Sequence, residues 1–120
     1  MRNQPEYTIF KNTSYALHGL LDIIKTETSF KIELAFGIIL IPFLIYIELD
    51  LISKLIMFIS MMGVLIAETI NSSIERVVDL VTLDHHLMAK RAKDVGSTIV
   101  FLSIFVFLIV WGNILFEKVI

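Results

Sequence analysis

The 120-residue chain contains no cysteine, which excludes disulfides, thiolate metal ligands and cysteine nucleophiles. Its five glycines are scattered, and neither GxxxxGK(S/T) nor GxGxxG, the common glycine-rich phosphate-binding patterns, occurs. The formal net charge is −2, so no global basic field indicates nucleic acid as a partner. The N-terminal stretch MRNQPEYTIFKNTS is polar and lacks the early apolar core of a cleavable signal peptide. A bound nucleotide would therefore need metal ions and cationic side chains to hold its phosphates.

Apolar residues, in contrast, make up 57% of the chain, against 18% for charged residues. That is too apolar for an ordinary soluble protein of this size, and three long apolar runs account for the excess. Because about 20 residues span a bilayer as a helix, we predict a single all-α membrane domain over 1–120 with transmembrane helices at 29–48, 51–82 and 94–116. The second helix is apolar only to Ala67, so its last turns should protrude from the hydrocarbon. Residues 83–94, LDHHLMAKRAKD, are expected to form the polar connection to the third helix.

Residues 6–27 show a weaker helical pattern. Their apolar side chains form an imperfect stripe along one face, made of Phe10, Tyr15, Leu17, Leu20, Leu21 and Ile24. Such a stripe is typical of a helix that lies on the membrane surface instead of crossing it. We therefore predict an N-terminal amphipathic surface helix.

The distribution of lysine and arginine predicts the orientation in the membrane. Only Lys54 and Lys118 lie on the side of the first connection and the C-terminus; the other eight are Arg2, Lys11, Lys25, Lys31, Arg76, Lys90, Arg91 and Lys93. Because basic residues are retained on the cytoplasmic side, we expect the N-terminus and the second connection to be cytoplasmic and the C-terminus to be outside.

The stretch AETINSSIERVVD places four polar residues on one face of the second helix, because each helical residue turns by about 100°. These residues are Glu68, Asn71, Glu75 and Asp79. An ionisable side chain at membrane depth costs several kcal/mol unless it finds a partner or water. One interpretation is structural: the stripe packs helices together through hydrogen bonds and small residues.

The other interpretation is a charged site at the membrane surface. Carboxylate and amide oxygens suit Mg²⁺, and the basic residues of the second connection suit phosphate. Metal, phosphate and a deep carboxylate together suggest phosphoryl transfer to a lipid hydroxyl. The adjacent His85 and His86 are expected to be solvated, and Ser72, Ser73, Ser97 and Thr98 are expected to pack or bond to the backbone instead of acting as nucleophiles.

Two spaced motifs carry a family resemblance. AETINSSIERVVD matches E-x-x-N-(S/T)-(A/S)-I-E-x-x-V-D, and AKRAKDVGS then matches K-D-x-G-S; ETSFKIE and the chain's size also agree. On these residues the chain resembles the prokaryotic diacylglycerol kinase family of small membrane lipid kinases, over nearly its whole length. The resemblance implies a homotrimer in the bacterial inner membrane with a periplasmic C-terminus. Each protomer would have three transmembrane helices and one surface helix, and active sites would be shared between subunits at the cytoplasmic interface.

The resemblance also implies transfer of the γ-phosphate of ATP to a lipid alcohol with Mg²⁺. Glu68 resembles the general base near the lipid hydroxyl, and Glu27 and Glu75 resemble the metal ligands. The other candidates that the resemblance implies are Asn71 beside the reacting groups, Lys93 on phosphate with Asp94 supporting it, Lys90 and Arg91 on the nucleotide, Glu33 and Ser97 on the lipid, and Glu33 and Asp79 in a polar network.

The lipid substrate has two alternatives within this family. AKDVGS and Glu27 resemble the branch that converts diacylglycerol to phosphatidic acid; the branch that phosphorylates undecaprenol more often has alanines after K-D, yet VVDLVT resembles it. We predict a diacylglycerol kinase, with undecaprenol kinase as the alternative. A non-enzymatic scaffold or channel subunit is a remote alternative, since a channel should carry charges along a pore-facing helix and the third helix has none from Val95 to Phe116.

Overall fold

A computed structural model describes residues 8–119, and this part of the protein consists of four helices. In chain order they are α1 (Ile9–Thr26), α2 (Thr28–Tyr46), α3 (Leu51–Val81) and α4 (Leu87–Lys118). No strand occurs in this described part, so the prediction of an all-α chain is confirmed. The predicted surface helix starts at residue 6, and residues 6 and 7 lie outside the described residues, as does Arg2 of the charge count.

Three of these helices, α2, α3 and α4, are long and apolar enough to cross a membrane, as predicted. They differ in length: α2 has 19 residues, whereas α3 has 31 and α4 has 32. At 1.5 Å per residue these lengths are about 28, 46 and 48 Å, against a hydrocarbon thickness of about 30 Å. The α3–α4 hairpin therefore extends beyond the membrane span, and this extension carries the polar residues.

The connection between α3 and α4 is shorter than the sequence predicts. A polar connection over 83–94 is wrong for residues 87–94, because α4 begins at Leu87. His86 caps the helix through its ring, whose Nδ1 accepts a hydrogen bond from the Met88 backbone N–H at 3.1 Å. The Lys90–Asp94 ion pair, one helical turn apart, supports the same turns. Loss of hydrophobicity thus marks the end of the apolar span and not the end of the helix.

A buried cluster holds the helices together near the α2–α3 turn. It consists of Leu44, Met57 and Trp111, one residue from each spanning helix. The Trp111 indole N–H donates to the Met57 carbonyl at 3.0 Å, and the Phe107 ring lies 5.2 Å from the Trp111 ring. Aromatic packing with a satisfied indole N–H is a stabilising arrangement.

The same end of the molecule is closed by polar contacts. Asp50 caps α3 by accepting from the Ser53 backbone N–H at 3.1 Å and from the Ser53 hydroxyl at 2.7 Å. Lys118 in the last turn of α4 donates to Asp50 at 3.1 Å, and Lys54 donates to the Ile45 carbonyl at the end of α2 at 2.9 Å. These contacts fix α2, α3 and α4 relative to one another at this end.

Candidate active site

The polar face of α3 faces the first turns of α4. Glu68, Asn71 and Glu75 are partly buried along it, and Asp79 is exposed near its end. Two atoms near this face are unusual in being buried without a hydrogen-bond partner among the described residues, namely Asn71 Oδ1 and Glu33 Oε2. Buried polar atoms are nearly always paired, so both mark a place where a ligand or water would be stabilised.

Asn71 lies directly against Gly96, one of two buried residues of α4. A Cβ added at Gly96 would collide with Asn71 Oδ1 and would contact the Ile74 side chain at 3.6 Å. The glycine therefore permits close approach of α4 to the Asn71 amide. By contrast, Gly112 on the same helix has nothing within 4 Å of an added Cβ. The K-D-x-G-S motif includes Gly96 and not Gly112, but it does not give this reason for the glycine.

Glu33 of α2 and Glu68 of α3 face each other, close enough for their carboxyl groups to interact electrostatically. Glu33 is also the one charged residue lining an apolar cleft of about 230 Å³ between α2, α3 and α4. The apolar lining residues include Phe36, Val64 and Phe107. The site thus combines a pair of carboxyl groups with an apolar cleft that leads away from it.

The predicted phosphate-binding residues are held in ion pairs. Lys93 Nζ lies 2.7 Å from Asp79 Oδ1, and Glu75 is close enough to contribute to the electrostatic potential at Lys93. Lys90 Nζ lies 2.6 Å from Asp94 Oδ2. The structure therefore brings Glu75, Asp79 and Lys93 together, and it pairs Asp94 with Lys90.

Two predicted site residues are not joined to this network within residues 8–119. Arg91 is exposed, and its Nη1 lies 3.7 Å from the Met88 sulfur without an ion pair to a described carboxylate. Ser97 is exposed, and its hydroxyl makes no hydrogen bond to a described residue. Their roles toward nucleotide and lipid stay predictions.

Glu27 is the single residue between α1 and α2, and its side chain reaches α3. Its Oε1 accepts a hydrogen bond from the Ser72 hydroxyl at 2.9 Å and lies 3.8 Å from Arg76 Nη2. Ser72 and Arg76 flank Glu75 in the sequence of α3. The Glu27 carboxylate therefore lies against the stretch of α3 that contains Glu75, the other predicted metal ligand.

The donor set fits Mg²⁺ as the sequence predicts it. No group of three or more His, Asp or Glu side chains within 8–119 could hold a metal alone. Mg²⁺, however, is usually held by one or two carboxylates together with substrate phosphates and water. Glu27 and Glu75 supply two hard oxygen donors of this kind, and the unpaired Asn71 Oδ1 is a third oxygen on the same face of α3.

The hydroxyl and imidazole groups behave largely as expected. Ser73 and Thr98 bond to backbone carbonyls one turn earlier, at 3.0 and 3.1 Å, and His85 and His86 are exposed. Ser72 differs, because its hydroxyl binds Glu27 instead of the backbone. Sequence reasoning also assigned no role to Arg76, although this arginine directly follows Glu75.

The chain is similar to known proteins over most of its length. The family model described as prokaryotic diacylglycerol kinase matches residues 14–115. The chain is 38% identical over 108 residues to a diacylglycerol kinase of Haemophilus influenzae, covering 90% of this chain and 92% of that one. It is 32% identical over 109 residues to a diacylglycerol kinase of Escherichia coli, covering 91% and 89%. An undecaprenol kinase of Bacillus subtilis is 33% identical over 88 residues, covering 73% and 72%.

The range of the family model includes most of α1 and α4, all of α2 and α3, and both motifs. These matches confirm the family predicted from AETINSSIERVVD and AKRAKDVGS. The chain belongs to the prokaryotic diacylglycerol kinase family and is an enzyme, a lipid kinase of the membrane.

Proposed function

We propose that the protein transfers the γ-phosphate of ATP to the hydroxyl of diacylglycerol, forming phosphatidic acid at the cytoplasmic face of the bacterial inner membrane. The observation that carries this proposal is the facing pair of Glu33 and Glu68 beside an apolar cleft of about 230 Å³. A lipid alcohol is the substrate class that presents a hydroxyl to the carboxyl groups while its chain lies in the cleft.

Glu68 is the proposed general base. Its carboxylate accepts the proton of the lipid hydroxyl while the hydroxyl oxygen bonds to the γ-phosphorus and the bond between that phosphorus and ADP breaks. A positioned base typically contributes about 10²–10⁴-fold. Glu33 gives the carboxyl group of Glu68 a fixed polar neighbour in a place that is otherwise apolar.

Charge on the phosphates is offset by side chains of α3 and α4. Lys93 would leave Asp79 and contact phosphate, and Lys90 can do the same from Asp94, because both pairs lie at the exposed end of the α3–α4 hairpin. Mg²⁺, when bound, would neutralise charge on the phosphates. Glu27 and Glu75 would hold it.

Undecaprenol is the second candidate substrate, and the undecaprenol kinase of Bacillus subtilis among the relatives favours keeping it. The homotrimer with shared sites and the surface position of α1 belong to the same proposal. Large apolar side chains that a single chain leaves exposed, including Phe36 at 62% and Phe101 at 68%, would contact lipid or a neighbouring protomer.

The test is purified protein in lipid nanodiscs with labelled ATP, Mg²⁺ and either diacylglycerol or undecaprenol. We expect labelled phosphatidic acid, and less product from undecaprenol. Faster labelling of undecaprenol would make it the substrate, and no labelled lipid from any alcohol would overturn the proposal.

Because the chain has no cysteine, single cysteines at Asp84 and Lys118 also test the orientation: they should react from opposite sides of the membrane.

A further inference from the structure

Glu27 occupies an unusual position for an acidic residue. It ends α1 and precedes α2, with an extended backbone at φ −109° and ψ 110°. An N-cap side chain commonly accepts a hydrogen bond from the first turn of its helix, but the Glu27 side chain makes no such bond. Its carboxylate is directed sideways to α3 instead, so contacts with α3 determine where it lies.

Arg76 provides one of these contacts, beside the shorter one from Ser72, and it also joins α1 to α3. Its guanidinium forms an ion pair with Asp22, donates to the Thr26 hydroxyl at 2.8 Å and lies 3.8 Å from Glu27 Oε1. All three partners lie in the last turns of α1 or directly after it. A guanidinium holds several oxygens at once because its donors form a rigid, planar fork.

The Glu27 carboxylate is consequently held at one oxygen. Ser72 and Arg76 both approach Oε1, and no hydrogen bond or ion pair from another residue within 8–119 involves Oε2. The side chain is 33% exposed. One oxygen is thus held against the stretch of α3 that carries Glu75, and the other is not engaged by a described residue.

We propose that Arg76 is a positioning residue that clamps the end of α1 to α3 and thereby holds Glu27 beside Glu75 before a divalent cation arrives. The proposal rests on the proposed function, in which Glu27 and Glu75 are the metal ligands. It adds a residue to which neither the motifs nor the comparisons give a role.

Charge and geometry predict opposite effects of removing this arginine. Arg76 carries a positive charge close to a proposed cation site, so electrostatics alone predicts that its loss strengthens cation binding. Loss of the clamp instead frees Glu27 to move with α1. Residues that orient metal ligands typically contribute about 10–100-fold to metal affinity, so we expect the geometric effect to dominate.

The experiment measures Mn²⁺ binding by electron paramagnetic resonance in the intact protein with a non-hydrolysable ATP analogue. Arg76→Gln should bind Mn²⁺ about 10-fold more weakly. Arg76→Lys should fall between, because a lysine keeps the charge but cannot bridge Asp22 and Thr26 together. Lys25→Gln is the matched control: it removes an exposed positive charge from the last turn of α1 and should bind Mn²⁺ nearly as the parent does.

Hydrogen exchange supplies a second readout. In Arg76→Gln the amides of the last two turns of α1 should exchange faster, while those around the Trp111 cluster should not change. Asp22→Asn should move both readouts in the same direction, which keeps the test valid if Arg76→Gln does not fold. Unchanged or tighter Mn²⁺ binding in both variants would overturn the clamp.

Glu27→Gln separates the two proposals. If it leaves Mn²⁺ binding unchanged, the metal role in the proposed function fails, and the role of Arg76 toward the metal fails with it. If Glu27→Gln weakens binding and Arg76→Gln does not, only the inference about Arg76 is wrong. If both weaken binding and the double variant is no weaker than Glu27→Gln, Arg76 acts through Glu27.

Discussion

The two ends of the helical bundle are built on opposite principles. At the α2–α3 turn, the polar groups described above are paired: Asp50 with Ser53 and Lys118, Lys54 with the Ile45 carbonyl, and the Trp111 indole with the Met57 carbonyl. At the other end, Asn71 and Glu33 each keep a buried oxygen without a partner in the described part of the chain.

This difference separates stability from function. An unpaired buried oxygen lowers the free energy of unfolding, typically by about 1–3 kcal/mol. Such a group is retained where a ligand needs it. The α2–α3 turn, where the polar groups are paired, can compensate for this loss of stability because it fixes all three long apolar helices. Substitutions at the open end, around Asn71 and Glu33, should therefore reduce turnover more than stability. Substitutions at the closed end, around Asp50 and Trp111, should reduce stability more than turnover.

Glu68→Gln should have the largest effect. Glutamine keeps the size of the side chain but cannot accept the proton, so we expect turnover to fall by about 10²–10⁴-fold with assembly unchanged. The measurement is labelled phospholipid per folded protein, and Glu48→Gln at the closed end is the control. Near-normal turnover in well-folded Glu68→Gln would return this residue to helix packing.

Glu27→Gln and Glu75→Gln should each raise the Mg²⁺ concentration needed for half-maximal activity. Hard cations need charged oxygen ligands, so removal of one charge should raise this requirement by at least about 10-fold. The measurement is a titration of activity with Mg²⁺. An unchanged Mg²⁺ response at full activity would remove that residue from the metal role.

Gly96→Ala tests the close approach of α4 to Asn71. The added methyl group must displace the Asn71 amide, and a shift of about 1 Å near the reacting groups can cost up to about 10²-fold. We expect roughly a 10-fold loss of activity toward diacylglycerol. Gly112→Ala is the control, because its methyl group meets no atom within 4 Å. Equal effects of the two substitutions would contradict the steric argument.

Trp111→Phe breaks the closed end. It keeps an aromatic ring but loses the hydrogen bond to the Met57 carbonyl, a net contribution of about 1 kcal/mol. We expect a lower midpoint of unfolding in detergent and unchanged turnover per folded protein. Lost turnover in the fully assembled variant would show that the two ends are coupled.

Asp50→Asn should have the smallest effect, and one that depends on pH. The Ser53 hydroxyl, the Ser53 N–H and the Lys118 ammonium lower the pKa of Asp50 below its ordinary value. A lowered pKa in the folded state gives stability that is present above about pH 4 and lost as the pH falls further. The parent should therefore exceed Asp50→Asn in unfolding midpoint at pH 7, and the difference should shrink below pH 4.

The sequence predicts the fold well because the signals for it are local. Uninterrupted apolar runs identify the three long helices, and 100° per residue places Glu68, Asn71 and Glu75 on one face. The start of α4 is missed because Lys90 and Asp94 are compatible with a helix as well as with a loop. Hydrophobicity measures membrane depth and carries little information on where a helix ends in water.

The site is predicted only in part because its key contacts join distant residues. Glu33 meets Glu68, Gly96 meets Asn71, and Arg76 meets Asp22 through the rotation of one helix against another, which spacing along a single helix does not determine. The motifs make Glu68 and Lys93 candidates without that information. They give no indication that Gly96 is needed for close packing or that Arg76 joins two helices.

Helix α3 runs through the site without interruption, so the distance between its side chains along the helix axis is fixed. Glu68 and Glu75 are fixed about 10 Å apart along one axis, and no loop between them can adjust that distance. With the proposed roles, Glu68 determines the depth in the membrane at which a lipid hydroxyl reacts, and Glu75 determines the position of the metal. The enzyme would then select lipid alcohols whose hydroxyl group lies at the depth of Glu68 below the membrane surface. Such a rule tolerates tails as different as those of diacylglycerol and undecaprenol.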